Sequence, residues 1–437
     1  MLNDRPLSVQ SWPQAIAHVD GDSFFASCEQ ALHSEYKGRP LVVGGERGIA
    51  TAMSKEAKLL GITRGMQNHK IKSQFPECII VPSDYESYSL FSLRIFAIAR
   101  RYTPTVEEYS IDECFADVTG LRKSLKMSYV EIAQSIKADL QRELGVTFSV
   151  GLAPSKVMAK IATGWRKPNG FTAIKARHIH YALKKYPISN IWGIGKQTAS
   201  RLEKLGIKTA LQFARKDEGW IEKHFNKPQL DIWHELHGHS VNKVETKSSE
   251  PKSINKSKTF TPPSRNYSYV FSQLSKNIEN ACIRARRHNL YTNTITIFLK
   301  KQDFSKRAQK FTLSLHTNTP HEILKAVKSV FELLFDSKSL YRSTGVRLEK
   351  LVHKEAMQRD LFNQHIAVEK HVSITSVMDE IDNRYGKHTL YFGSSMQAIA
   401  NGNHERERNT LAKRKQDLLT GETRRRRIAI PYLGKVT

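Results

Sequence analysis

Apolar residues in this chain fall into short runs and helical stripes that alternate along its first half. Ala15 to Val19 reads as a strand, Phe24 to Leu32 as a helix, and Leu41 to Val43, behind Pro40, as a second strand. Tyr88, Phe91, Ile95 and Ile98 recur at spacings of three and four, which predicts a helix over 84–101 with Asp84 capping its start. Val106 to Ile111 and Cys114 to Val118 read as two short strands with almost nothing between them, a tight hairpin. A helix from Ser128 to Leu144, a strand from Val146 to Ala153 and a helix from Lys156 to Trp165 follow. Strands alternating with helices predict an α/β or α+β unit.

The pattern then changes twice. Ile188 to Phe213 is helical throughout, interrupted at Gly193-Ile194-Gly195 and at Gly206, and Asn242 to Ser257 has the polar composition of a linker. Beyond it lies a second unit. Ser253 to Phe260 reads as a strand, and Phe271, Leu274, Ile278, Ala281 and Ala285 form a helical stripe. Thr294 to Lys300 and Lys310 to Leu315 alternate as strands. Thr319, Pro320 and Glu322 predict a capping box opening a helix to about Phe335, and Gly345 to Leu351 predicts a last strand. The order β-α-β-β-α-β is that of a small ferredoxin-like sheet. Past Lys354 the chain turns polar, and with the basic run Arg424 to Arg427 it predicts a disordered tail.

Composition narrows the class. At 437 residues the chain is too long for one core, and two to four domains are expected. No stretch of about 18 uninterrupted apolar residues is present, which excludes a membrane-spanning helix. The N-terminus has no basic segment followed by an apolar run, as a signal peptide would, and Cys28, Cys78, Cys114 and Cys282 lie too far apart for a zinc motif or a disulfide framework. Both features predict a cytoplasmic, nucleoid-associated protein. The formal net charge of +27 makes a polyanion the expected partner, and nucleic acid the natural one. Charge alone does not separate an enzyme from a packaging protein.

Two acidic sites carry the candidate chemistry. Asp20 ends the first predicted strand in His18-Val19-Asp20-Gly21-Asp22-Ser23-Phe24-Phe25, and Asp112 and Glu113 sit at the hairpin tip in Tyr109-Ser110-Ile111-Asp112-Glu113-Cys114-Phe115. If the hairpin lies beside the strand, three carboxylates converge. Their repulsion then calls for divalent cations, and oxygen ligands favour Mg2+. Two such ions clamp the attacking and leaving oxygens of a phosphoryl transfer. Spacing alone equally allows two acidic surface turns.

Asp20-Gly21-Asp22-Ser23-Phe24-Phe25, Ser110-Ile111-Asp112-Glu113, and Ala159-Lys160-Ile161-Ala162 with Lys167-Pro168-Asn169-Gly170 resemble three signature motifs of the Y-family (translesion) DNA polymerases of bacterial type, in that family's order and spacing. The resemblance covers roughly Ala15 to Leu351. It implies a right-hand α+β polymerase: palm (1–23 and 84–174), fingers (24–83), helix-hairpin-helix thumb (175–241), linker (242–252), little finger (253–352) and a C-terminal extension (353–437). The implied activity is low-fidelity, template-directed addition of deoxynucleotides to a primer 3′ end during repair and damage tolerance. The implied partners are primer-template DNA, deoxynucleoside triphosphates and the sliding clamp, with the chain acting as a monomer away from membranes. Asp20, Asp112 and Glu113 match the metal-holding catalytic acids, and the Gly21 carbonyl matches a further ligand of two Mg2+ ions.

The resemblance also implies nucleotide contacts at Phe24, Phe25, Thr51, Lys55, Lys58 and Lys167. Phe25 matches the steric gate, a ring against which a 2′-hydroxyl would clash. Lys55 and Lys58 depart from the family, which carries tyrosine and arginine there; lysine cannot grip a phosphate bidentately. Gly193, Gly195 and Lys196 match the thumb's phosphate-binding turn. On the little finger, Lys258, Lys300, Lys301, Lys310 and Arg347, with Lys252 and Lys256 beside them, are candidate phosphate contacts. Gln358-Arg359-Asp360-Leu361-Phe362 looks like a clamp-binding peptide, with Leu361 and Phe362 filling one pocket. The competing readings are a non-catalytic DNA-binding scaffold recruited by the clamp, which has no need of mutually repelling carboxylates, and a nucleotidyl cyclase, which needs no duplex grip.

Overall fold

The computed structural model describes residues 5–45, 48–246, 250–356, 364–385, 388–400, 429–430 and 434–435. The chain divides into two compact units, residues 1–248 with 410–437, and residues 249–409, so the boundary falls inside the expected linker.

In the first unit the elements run β1 (Ile16–Gly21), α1 (Phe24–Leu32), β2 (Leu41–Val43), β3 (Ala52–Met53), α2 (Lys55–Leu59), α3 (Asn68–Gln74) and β4 (Ile79–Val81). They continue with α4 (Tyr85–Arg100), β5 (Val106–Glu108), β6 (Glu113–Asp117), α5 (Arg122–Leu125), α6 (Tyr129–Leu144), β7 (Phe148–Ala153), α7 (Lys156–Trp165) and β8 (Phe171–Ala173). The main sheet has the order β5-β6-β1-β7-β8, so β1 is central and buried along its length. Its apolar run suits a strand covered on both faces. Asp84 and Ser128 cap α4 and α6 with side chains that accept from Ser87 N–H and Glu131 N–H. Glu131 reaches back to the Ser128 amide, completing a capping box.

Helices α4 and α6 cover one face of the sheet through Phe91, Ile95, Ile132 and Ile136. The other face is closed by α7, which lies against Gly151. A Cβ there would come within 2.2 Å of the Ala159 carbonyl, so only glycine admits the helix. Residues 41–81 build a small three-stranded sheet, β3-β2-β4, around Val42, Met53, Ala57 and Ile71. After β8 come α8 (Ile179–Leu183), α9 (Lys196–Lys204), α10 (Ala210–Ala214), α11 (Glu218–His224) and α12 (Lys227–Leu236), whose core is continuous with that of α7.

The second unit has the expected order: β9 (Ile254–Ser264), α13 (Tyr267–Arg287), β10 (Leu290–Lys301), β11 (Lys306–Thr317), α14 (Pro320–Leu334) and β12 (Tyr341–Glu349). Its sheet runs β11-β10-β12-β9, with both helices on one face over Ile295, Ile297, Leu299 and Val346. The capping box expected at Thr319 does not form. Pro320 does open α14, but the Thr319 hydroxyl is bonded to that of Thr317 at 3.0 Å, and Glu322 faces His371.

The expectation of a disordered tail also fails over much of its length. A short β13 (Val352–His353) precedes α15 (Gln364–Tyr385), and α16 (Met396–Ala400) follows. Helix α15 docks by polar contacts: Arg286 forks onto Asp379 at 2.6 and 2.8 Å, and buried Asp382 accepts from the amides of His388, Thr389 and Leu390. Residues 393–400 lie on α13, where Ser395 donates to Glu279 and is bonded to the Ser275 hydroxyl, and Ala398 N–H donates to Ser272. The extension expected over 353–437 thus belongs, in its described part up to Ala400, to the second unit. Arg424 to Arg427 lie outside the described residues.

Candidate active site

The register of β1 places Asp20 opposite Glu113 of β6 on one side and Ser149 of β7 on the other. The hairpin is looser than expected: β5 stops at Glu108, and Tyr109 to Asp112 form a loop closed by the amides of Tyr109 and Ser110 on the Glu113 carbonyl. This loop lets the two adjacent acids approach the end of β1. The Gly21 amide donates to the Asp112 carbonyl at 3.0 Å, drawing the loop against the strand.

The three acids are not equally close. Asp20 and Glu113 are direct neighbours across the β1–β6 ladder, so their carboxyl groups interact. Asp112 Oδ1 accepts from Ser110 Oγ at 2.7 Å, and the three acids do not gather within 4.8 Å as a ligand cluster. Burial, and then the interaction with Glu113, push the Asp20 carboxyl up to about 7. Burial acts the same way on Glu113, but the interactions with Asp20 and Lys160 outweigh it and hold that carboxyl low. The two carboxyls are thus pushed apart, Asp20 up and Glu113 down.

Two ammonium groups complete the arrangement. Lys167 Nζ lies 2.5 Å from Asp20 Oδ1, and Lys160 Nζ lies 2.8 and 3.0 Å from the Glu113 oxygens. Lys160 also rests over the rings of Tyr109 and Trp192, and Trp192 donates its indole N–H to Tyr109 at 2.9 Å. A cavity of about 260 Å3 opens here between Asp20, Lys160 and Lys167 on one side and Tyr186, Asn190 and Trp192 on the other. At its floor, burial holds the His18 imidazole neutral, down at about 3.

Asp22, which sequence reasoning passed over, positions Lys167. It is buried, Oδ1 accepts from Ser149 Oγ at 2.7 Å, and Oδ2 accepts from the Asn169 amide at 2.7 Å. These bonds pin the loop Lys167 to Gly170 to the end of β1. Lys137 and Gln141 of α6 hold the same loop through the Asn169 side-chain carbonyl.

The expected nucleotide contacts separate. Phe25 is half-buried on the first turn of α1, stacked on Tyr88 at 4.6 Å and edge-on to Tyr85 at 5.4 Å. Phe24 is 4 % exposed, with its ring against Gly21. Lys58 reaches back from α2 to Ser23 Oγ at 2.7 Å, beside the acidic strand end, whereas Lys55 is exposed on the first turn. The Thr51 hydroxyl is bonded to the Val43 carbonyl.

Gly193 has φ +90°, and a Cβ there would meet Ile232 at 2.7 Å. Gly195 caps α9 without a side-chain bond, leaving its amide end and Lys196 uncovered. In the second unit, strand alternation divides the basic residues. Lys310 pairs with Thr296, which pairs in turn with Arg347 across the open face, and Lys300 pairs with Lys306. Lys256 and Lys258 pair with Val346 and Thr344 on the helix-covered face. Glu349 accepts from Thr296, Lys310 and Arg347 on the open face, and these bonds drive its carboxyl down to about 2. Gln358, Asp360, Leu361 and Phe362 lie outside the described residues.

The chain matches the models of the impB/mucB/samB family over residues 19–164 and of that family's C-terminal domain over 251–361. It is 32% identical over 388 residues to DNA polymerase IV of Moorella thermoacetica, covering 87% of this chain and 96% of that protein. This chain belongs to the Y family of DNA polymerases. DNA polymerase IV of Clostridioides difficile is 30% identical over 354 residues, 79% of this chain and 95% of that one. Among solved Y-family structures, a chimera of Dbh and Dpo4 superposes with a TM-score of 0.65 at 27% identity, spanning 78% of this chain and all of the chimera. An insertion ternary complex of Dbh DNA polymerase gives 0.52 at 27% identity over the same shares. Among the described residues, no helix is long and apolar enough to cross a membrane.

Proposed function

We propose that this Y-family polymerase extends a primer 3′ end on damaged template, with Mg2+ held by Asp20, Asp112, Glu113 and the Gly21 carbonyl. The observation that carries this reading is the Asp20–Glu113 pair, buried at a strand end and neutralised by Lys160 and Lys167. Carboxylates so placed suit divalent cations, which would replace the ammonium contacts. Two bound Mg2+ ions would supply charge stabilisation to the attacking and departing oxygens. Asp112 joins this set by giving up its bond from Ser110, a side-chain movement within a half-buried loop.

The protein's own groups supply the rest. Released from Asp20, Lys167 is free to meet the triphosphate, where its charge offsets that building on the leaving group. Asp22 keeps it within reach. Phe25, braced by Tyr88, presents a ring edge that leaves no room for a 2′-hydroxyl. Lys58 places a second cation beside the same strand end. The bare amide end of α9 and the cations of the open little-finger face suit backbone phosphates, a grip that reads no bases and so accepts any template. Docking on a sliding clamp through Leu361 and Phe362 belongs to the same proposal. A non-catalytic scaffold gives no reason to bury a carboxyl pair at this point. Extension of a primer across an abasic template by the purified chain with Mg2+ tests the reading; no extension on either damaged or intact template would overturn it.

A further inference from the structure

The first turn of α14 and the middle of α15 bring three donors together far along the chain from the polymerase carboxylates. His321 and Glu322 follow Pro320 at the start of α14, and His371 faces them from α15. One donor atom from each lies within 4.8 Å of the others, and among the described residues this is the one such cluster of three. Nδ1 of His371 is shielded from solvent and lies 2.9 Å from Glu322 Oε1, yet their orientation does not make a hydrogen bond. The His321 and His371 rings are 4.2 Å apart and tilted by 37°.

We infer that His321, Glu322 and His371 form a binding site for a transition-metal dication of the zinc type, tying the C-terminal helix to the sheet unit. Two imidazoles and one carboxylate suit Zn2+, Co2+ or Ni2+ and are a poor set for Mg2+, which prefers oxygen throughout. Donors sharing a tetrahedral zinc sit roughly 3.3 Å apart, from bonds of about 2.0–2.1 Å. The His371–Glu322 pair is already near that separation. His321, exposed at the helix start, has the freedom to close the remaining gap, at most about 1.5 Å, by side-chain rotation. The amide end of α14 repels a cation, but Glu322 offsets this with its charge in the first turn. Three protein donors leave the fourth position to water.

A metal here has a structural consequence. Elsewhere α15 is fastened by the Arg286–Asp379 fork and by Asp382, near its C-terminal end. A metal at His371 would fasten it a further two turns toward its start.

The test is equilibrium dialysis of the full-length chain against micromolar Zn2+ in millimolar Mg2+, which saturates the oxygen-only polymerase site. One Zn2+ per chain is expected, with affinity at least tenfold weaker in His371→Ala and in His321→Asn. The second variant changes an exposed side chain and so leaves the fold intact. Co2+ in place of Zn2+ should give a visible spectrum that both variants lose, and Zn2+ should slow amide exchange across 371–385 in the wild type alone. Equal Zn2+ binding by wild type and His321→Asn, or no binding by the wild type under these conditions, would overturn the inference.

Discussion

Replacing Asp22 by alanine should cost this polymerase both stability and rate, and the two losses have different origins. The carboxylate accepts two buried hydrogen bonds at 2.7 Å, from Ser149 Oγ and the Asn169 amide. Each bond to a charged acceptor contributes about 1.5–3 kcal/mol, so the nominal loss is about 3–6 kcal/mol, and relaxation of the loop should bring it to the lower end. Asp22→Asn should cost only about 1 kcal/mol, because its carbonyl can still accept from Asn169 while its amide donates to the Ser149 hydroxyl. The rate loss comes through Lys167. Freed from β1, the loop would no longer aim that ammonium, and removing a charge-assisted hydrogen bond of about 1.5–3 kcal/mol lowers kcat/KM roughly 10- to 150-fold. Single-nucleotide insertion kinetics on Asp22→Ala, Lys167→Ala and the double variant separate the two effects. If Asp22 acts through Lys167, the second substitution adds little to the first. Fully additive losses would refute the positioning role.

Phe25→Ala should lower discrimination against ribonucleotides by about 1–3 kcal/mol, read as the ratio of kcat/KM for the two sugars; an unchanged ratio in a folded variant would return Phe25 to a packing role. Neutralising Lys300, Lys310 and Arg347 together should flatten the salt dependence of DNA binding by about 0.9 in slope for each phosphate no longer neutralised, whereas Lys256→Gln with Lys258→Gln should leave the slope unchanged. Equal effects from the two sets would contradict the assignment of faces. Burial raises the Glu279 carboxyl from 4.5 to about 7 against the bond from Ser395, which favours the ionised form, so ionisation opposes folding around this buried group; the associated stability is complete below pH 4.5 and lost as pH rises through 7. The shift corresponds nominally to about 3 kcal/mol, and Glu279→Gln should remove the pH dependence of amide protection at Ala398 over that window.

What could be read in the sequence was what neighbours in the chain decide. Asp84 and Ser128 cap helices through residues three positions on, and α1 and α7 have the bounds their apolar patterns predict. The carboxylate motif was legible because strand end and hairpin are each local. Asp22 was not, since its partners lie 127 and 147 residues away. Helix α15 escaped notice because an ion pair and an amide-binding aspartate hold it, while Ile374 and Val377, which an apolar pattern would count as core, are exposed. The misread capping box at Thr319 shows the converse: a local pattern loses its hydroxyl to another threonine two residues before it. Lys256 and Lys258 looked equivalent to Lys310 as charges, and only the strand register separates them.

The acids at the ends of β1 and β6 are the centre of this account, and single-turnover incorporation tests them most directly. Asp112→Ala and Glu113→Ala, assayed with saturating primer-template, nucleotide and Mg2+, should lose about three or more orders of magnitude in rate, on the order of 4 kcal/mol or more of transition-state stabilisation. DNA affinity should stay within a few-fold of wild type, because neither residue is needed to hold the duplex. Asp112 carries the sharper test, since its carboxylate is bonded to Ser110 and forms no preassembled cluster with the other two acids. Incorporation by Asp112→Ala within tenfold of wild type would contradict the assignment and leave Asp20 and Glu113 to act without it.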